Sequence, residues 1–337
     1  MKAVGFHSPR PIDDPASLVD LDLPMPELRP RDLLVRIEAI SVNPVDVKVR
    51  ASATPPEGSA RILGYDAAGV VEAIGPEVTL FRPGDAVAYA GTIDRPGTCA
   101  QYHAVDERIV GRRPARLSPA EAAALPLTAI TAWELLFDRL KVPYGVKEAA
   151  GALLIVNGAG GVGSILTQLA RRLTGLRVIA TASRLESIAW CRQMGAHDTI
   201  DHRQPLDEAL GAIGIREVQY VASLTATDHH LPAITRALAP QGALALIDDP
   251  QTLEIVPLKR KSLSVHWELM FTRPLYGTPD MIRQHRLLNE VADLVDAGVL
   301  RSTLRETLGT INAANLRRAH AIIESGRSIG KVVLEGF

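Results

Sequence analysis

Leu153-Leu154-Ile155-Val156-Asn157-Gly158-Ala159-Gly160-Gly161-Val162-Gly163 decides how the middle of this chain folds. Four apolar residues in an unbroken row, without polar alternation, read as a strand buried on both faces, the pattern of a parallel sheet. The glycines after it stand as Gly-x-Gly-x-x-Gly. Gly158 permits a tight turn, Gly160 lets backbone approach a pyrophosphate, and Gly163 lets the next helix pack closely on the strand. A helix follows the turn and runs to about Leu173. Its first N–H groups and partial positive charge suit a phosphate. The motif alone is weak, and a ligand-free glycine turn is the alternative. Between a buried strand and a helix it predicts a dinucleotide site on Gly158, Gly160, Gly161, Val162 and Gly163.

The sequence around this stretch repeats the alternation. Arg177 to Thr181, Val218 to Val221 and Ala243 to Ile247 read as further strands. Leu185 to Met194 and Leu231 to Leu238 read as helices. Such a series predicts an α/β domain with a doubly wound parallel sheet. The ribose position falls about 20 residues after the glycines, where an acid holds the 2′-hydroxyl of NAD. Here the strand ends Ala180-Thr181-Ala182-Ser183-Arg184, without an acid. A hydroxyl followed by a guanidinium suits a 2′-phosphate, so Ser183 and Arg184 point to NADPH. The alternative for Arg184 is a solvated arginine at a helix start.

Before Leu153 the chain is β-rich. Leu33 to Ile40, Gly69 to Gly75, Ala86 to Tyr89 and Gln101 to Val105 read as short strands between Pro and Gly turns, which suggests a barrel. Ser118-Pro119-Ala120-Glu121 opens a helix with a capping box. A second helix runs from about Leu127 to Leu140. Near the end, helices at Met281 to Ala297 and from Asn312 to about Gly326 precede a strand from Ile329 to Leu334.

The 337 residues are long for a single core. With 37 basic and 38 acidic side chains and 4% aromatics, nothing favours nucleic acid or an anionic membrane as a partner. Two cysteines, Cys99 and Cys191, exclude a disulfide framework and a multi-cysteine zinc module, and they fit a reducing cytoplasm. No run approaches 18 uninterrupted apolar residues, so no membrane span is expected.

Gly64-Tyr65-Asp66-Ala67-Ala68-Gly69, Pro83-Gly84-Asp85-Ala86-Val87, Ala159-Gly160-Gly161-Val162-Gly163 and Gly330-Lys331-Val332-Val333-Leu334 stand in a familiar order and spacing. Through them the chain resembles the medium-chain dehydrogenase/reductase superfamily over nearly its whole length. It looks most like quinone oxidoreductases of the zeta-crystallin type. Leu127 to Leu140 and His266 to Arg273 resemble a subgroup labelled zinc-type alcohol dehydrogenase-like. The resemblance implies a Rossmann NADP-binding domain at 126–264. It implies a GroES-like β-rich barrel catalytic domain from 1–125 and 265–337.

The same resemblance places zinc ligands of related enzymes at Asn43, Tyr65 and Leu127. None is a thiolate, imidazole or carboxylate, so no metal is expected. Without a Lewis acid, oxidising a simple alcohol is hard, whereas reducing a quinone or α,β-unsaturated carbonyl needs only donors for a delocalised anion. Asn43 and Tyr65 are the candidate donors, and Asp46 is expected to orient neighbours. Their alternatives are a turn asparagine before Pro44, an apolar wall, and an ion-pair partner for Lys48 or Arg50. The resemblance also puts Thr131, Leu224, Asp248, Phe271 and Lys331 at the cofactor, and His202 at the 2′-phosphate. Asp228-His229-His230 reads as a helix start before it reads as a metal site.

These features predict an NADPH-dependent reductase of a small quinone or enone, a cytoplasmic homodimer joined through Leu263 to Trp267. Two alternatives stand: a zinc-dependent alcohol dehydrogenase, and a non-catalytic NADPH-binding sensor or structural protein.

Overall fold

The computed structural model describes residues 1–148 and 151–337. Two compact units emerge, Thr131–Met270 and Met1–Ile130 joined with Phe271–Phe337. The sequence reading divided the chain at 125/126 and 264/265. The structure divides it a few residues later each time.

In the second unit every residue of the Ala152–Val156 strand is buried, as its unbroken apolar run requires. It lies inside a six-stranded sheet. The order is Asp198–Ile200, Arg177–Thr181, Ala152–Val156, Val218–Ser223, Leu238–Leu246, Ser264–Trp267. All five pairings are parallel. The order reverses beside Ala152–Val156, and ligands of doubly wound sheets bind outside the strand ends at such a switch point. Leu154, Val156, Ile179, Leu210, Ile234 and Leu244 share its core.

Two elements here depart from the sequence reading. Asp198–Ile200 is too short and polar to signal itself. It forms by pairing with Arg177–Thr181, helped by an Arg177–Asp198 ion pair of 2.7 Å. The helix expected to reach Leu140 is α-helical only over Pro126–Trp133. It continues as a π-helical segment over Glu134–Arg139.

The first unit is built on Asp32–Val42, an eleven-residue strand with two register shifts against Ala67–Ile74. Those bulges let it serve several partners. Tyr102–Asp106 pairs with its start and Lys331–Glu335 with its end, where Val332 faces Val42. Phe6, Leu33, Val35, Ile40, Tyr89 and Leu334 fill the core. Lys2–Phe6, Val19–Asp22 and Arg61–Ile62 make a separate three-stranded sheet. The helix Pro44–Ser52 was not foreseen in the sequence.

The helical run Pro119–Arg139 is long and apolar enough, by length and average composition, to cross a membrane, although polar residues interrupt it. It is 83% buried within the protein, as a core helix is.

Candidate active site

In the first unit, Asp32–Val42 delivers Ser41, Val42 and Asn43 to one end of its sheet. Pro44 then starts a helix in the position where its missing N–H costs nothing. Asp46, on the first turn, accepts from the Asn43 N–H at 2.8 Å and the Gly64 N–H at 2.9 Å. Burial nevertheless pushes its carboxyl up to about 7. Asp46 thus holds the Asn43 N–H and the Gly64 turn.

Asp66 is fully buried and saturated. Its Oδ2 accepts from Ser41 Oγ at 2.8 Å, Asn43 Nδ2 at 2.8 Å and Lys331 Nζ at 3.1 Å. Its Oδ1 accepts from the Leu127 N–H at 2.7 Å. Lys331 Nζ donates in addition to Asn43 Oδ1 and to the Val42 carbonyl at 3.2 Å. The ammonium therefore has three acceptors and is 3% exposed.

Asn43, the expected donor, has its amide oxygen accepting from Lys331 and its NH₂ donating to Asp66. Lys331, expected at the cofactor, donates from the final strand to Asp66.

Tyr65 is left with an uncommitted polar group. Its ring is fully buried and meets Phe271 edge-on, centroids 5.4 Å apart. Its hydroxyl makes no protein hydrogen bond. Burial pushes the phenol up to about 12, against the pull of the nearby Arg61 guanidinium, so the group stays protonated as a donor.

In the second unit the glycine turn has the expected form. Asn157 adopts a left-handed φ of 64°, and its N–H is held by Thr181 Oγ1 at 2.9 Å. A Cβ on Gly158 would lie 2.5 Å from that of Ala180, and one on Gly163 would lie 2.4 Å from the Asn157 carbonyl. Gly160 differs, because its Cβ would meet only the Asn157 side chain, at 3.0 Å. The fold needs Gly158 and Gly163 itself, while Gly160 leaves backbone open where a phosphate would approach. The turn fits a dinucleotide. Gly161 and Val162, half-buried, open the Gly161–Leu173 helix there.

Ser183 and Arg184 follow the second strand and are half-buried. The Nδ1 of His202 is buried without a partner. Burial lowers this histidine's pKa; Asp201 pulls it up, and the Arg203 and Arg184 guanidiniums push it down further. Arg184 and His202 are thus brought together. Arg203, which sequence reasoning missed, joins them, pairing with Asp201 and reaching the Ser183 carbonyl at 3.5 Å. Its neighbour His202 was the available signal.

Other expected cofactor residues are less exposed. Leu224 is 8% exposed and Thr131 5%. Asp248 holds the N–H and hydroxyl of Thr227 at 2.8 and 2.5 Å, capping a helix. Among the described residues no His, Cys, Asp or Glu group could hold a metal, Asp228-His229-His230 included.

Two sequence families match the chain, an alcohol dehydrogenase GroES-like domain at residues 29–115 and a zinc-binding dehydrogenase at 194–334. A zinc-type alcohol dehydrogenase-like protein of Staphylococcus aureus is 40% identical over 99% of both chains. The chain belongs to the medium-chain dehydrogenase/reductase superfamily, among its zinc-type alcohol dehydrogenase-like proteins.

Solved relatives share the architecture of this dehydrogenase/reductase. A candidate zinc-dependent alcohol dehydrogenase of Rhizobium etli is 58% identical, with a TM-score of 0.96, covering 100% of this chain and 98% of that one. A quinone oxidoreductase of Coxiella burnetii is 26% identical, with a TM-score of 0.80 and coverage of 100% and 99%. A 2-methylene-furan-3-one reductase of Solanum lycopersicum is 34% identical over 55% of this chain and 48% of its own length.

The zinc in these names does not suit this dehydrogenase/reductase. The residues at the ligand positions offer an amide, a phenol and an alkyl group. The Asn43 amide oxygen and the Asp66 carboxylate already hold an ammonium, and that charge would repel a dication.

Proposed function

We propose that this protein is an NADPH-dependent reductase that delivers hydride to a quinone or an α,β-unsaturated carbonyl without a catalytic zinc. The observation that supports the reading is the closed Asn43–Asp66–Lys331 network, which commits Asn43, one of the three matched ligand positions, to a side-chain cation. Bound NADPH would supply the hydride. The Tyr65 hydroxyl, buried and uncommitted, donates to the oxygen on which negative charge gathers as the acceptor is reduced. Asp66 and Lys331 keep Asn43 fixed, and Asp46 fixes the Gly64 turn that carries Tyr65. Arg184, His202 and Arg203 surround the 2′-phosphate, and the turn at Gly158–Gly163 takes the pyrophosphate. The reductase names of the Coxiella and tomato relatives support this substrate class.

Steady-state kinetics with NADPH and NADH against naphthoquinones and small enones tests the reading. We expect turnover that favours NADPH and survives chelation in protein free of zinc by elemental analysis. Activity that tracks bound zinc supports the alcohol dehydrogenase reading favoured by the relatives' names. No turnover on any acceptor leaves a cofactor-binding protein.

The exposed edge Ser264–Trp267, with Trp267 55% and Leu269 51% exposed, supports a homodimer through this strand. The two unpaired thiols, Cys99 and Cys191, support a cytoplasmic location.

A further inference from the structure

The strands Arg177–Thr181 and Asp198–Ile200 are parallel neighbours, with Thr181 opposite Ile200 and the Ala182 N–H donating to the Ile200 carbonyl at 2.9 Å. The residues that follow, Ser183-Arg184 and Asp201-His202-Arg203, therefore leave the sheet side by side. Both loops lie at carboxyl ends of strands, the edge of a doubly wound sheet where ligands sit. Arg203 Nη2 reaches the Ser183 carbonyl at 3.5 Å and ties one loop to the other.

Asp201 is committed within its own loop. Its Oδ1 accepts from the Arg203 N–H at 2.9 Å and from Arg203 Nε at 3.0 Å. Its Oδ2 accepts from Arg203 Nε at 3.0 Å and Nη2 at 2.5 Å. The pair cancels one charge of each sign. His202, between them in sequence, is half-buried, and its Nδ1 is buried and meets no partner in the protein. A buried ring nitrogen without a partner costs free energy in either tautomer. A ligand oxygen beside Nδ1 removes that cost only when Nδ1 carries a hydrogen.

The charged and titratable groups around this imidazole come from three elements. Asp201 and Arg203 flank it in its own loop, Arg184 stands in the neighbouring loop, and His230 lies on the helix Thr227–Ala237. Burial holds His202 below the ordinary histidine value, Asp201 opposes it, and the two guanidiniums add to it. Burial holds His230 low as well. The free protein thus keeps His202 mostly neutral at pH 7. A phosphate monoester brings about −1.5 to −2 charges at that pH. An opposite charge within about 4–6 Å favours the imidazolium.

We propose that His202 takes up a proton from solvent as a 2′-phosphate settles between these two loops, so that NADPH binds more tightly, and is preferred more strongly over NADH, as pH falls toward neutral. The proposal rests on the assignment of the 2′-phosphate to Arg184, His202 and Arg203. One proton adds to the ring, both ring nitrogens then carry hydrogen, and no bond of the cofactor breaks. The Nδ1–H gains a phosphate oxygen as acceptor, in a charge-assisted bond.

Titration calorimetry of the whole protein with 2′,5′-ADP and with 5′-AMP tests the proton directly, in two buffers of different ionisation enthalpy at about pH 7. We expect about 0.5–1 proton taken up per 2′,5′-ADP in wild type, and none with 5′-AMP or in His202→Gln. The 2′-phosphate itself titrates near pH 6 and would release protons on binding as a dianion, so uptake belongs to the protein. His230→Gln should keep the uptake. The dissociation constant for 2′,5′-ADP should rise about tenfold from pH 6.5 to 8.5 in wild type and stay level in His202→Gln. Should that variant fail to fold, the wild-type proton count decides alone. Tighter binding of 2′,5′-ADP than of 5′-AMP without proton uptake, or uptake that persists in His202→Gln, overturns the proposal and leaves the NADPH reading standing. Equal binding of the two nucleotides overturns both.

Discussion

Gly160 and Gly163 stand three residues apart in one turn, yet substitution should separate their roles. A Cβ on Gly163 meets backbone that cannot yield, at 2.4 and 2.7 Å, whereas one on Gly160 meets only a flexible asparagine side chain. Gly163→Ala should therefore cost about 1–3 kcal/mol in cofactor-free denaturation. Gly160→Ala should melt like wild type but bind NADPH at least about tenfold more weakly in fluorescence titration, a loss of about 1.4 kcal/mol. Unchanged affinity in Gly160→Ala would take the pyrophosphate away from this turn. Lys331→Met leaves Asp66 buried without its cation and should cost about 3–5 kcal/mol. The double variant with Asp66→Asn should recover part of that loss, because the unpaired charge is gone. The glycines were legible because their work is local. The Lys331–Asp66 pair was not, because a final strand must first pair with Val42 from the far end of the chain.

Local rules also separate the elements that could be read from those that could not. The helix at Pro119–Ala123 was legible, since Ser118 accepts from the Glu121 N–H and the Glu121 side chain accepts from the Ser118 N–H, all within four residues. Ser118→Ala should cost about 1 kcal/mol in chemical denaturation. The π-helical segment has no such signature. Leu127 to Leu140 carries no breaker, and its wider turn is visible only in bonds such as Leu140 N–H to the Leu135 carbonyl at 2.9 Å. The edge strand lies between these cases. Its sequence is strand-like, but its exposure depends on its place at the end of the sheet. A lysine at Trp267 or Leu269 puts charge on that apolar edge without touching the strand's inner pairing. If the edge joins two copies, Trp267→Lys with Leu269→Lys should run as a monomer in light scattering. A surviving dimer would move the interface elsewhere.

At the scale of the whole molecule, four buried groups set how stability responds to pH. Burial pushes Asp46 up to about 7 and Glu268 up to about 8. Burial also pushes His103 down to about 4 and His320 down to about 3. Each carboxyl site binds a proton in the folded chain that the unfolded chain has already lost. Each histidine refuses a proton that the unfolded chain still holds below its ordinary value of 6.5. From about pH 4.5 to 6.5 the two effects oppose each other, two protons against two, and these groups should leave stability nearly level. Above 6.5 the histidines are neutral in both states and only the carboxyl sites remain. The folded chain then binds more protons than the unfolded one, so stability falls as pH rises. The slope starts at up to about 2.7 kcal/mol per pH unit, halves once Asp46 ionises in the fold near 7, and ends once Glu268 ionises near 8. Urea denaturation at intervals across this range should show that descent above pH 6.5, where every histidine is neutral in both states. Glu268→Gln should remove the part above about pH 7 and about halve the slope below it, leaving the share of Asp46. Stability that holds level or climbs from pH 6.5 to 8 would mean that neither carboxyl site holds its proton in the folded protein.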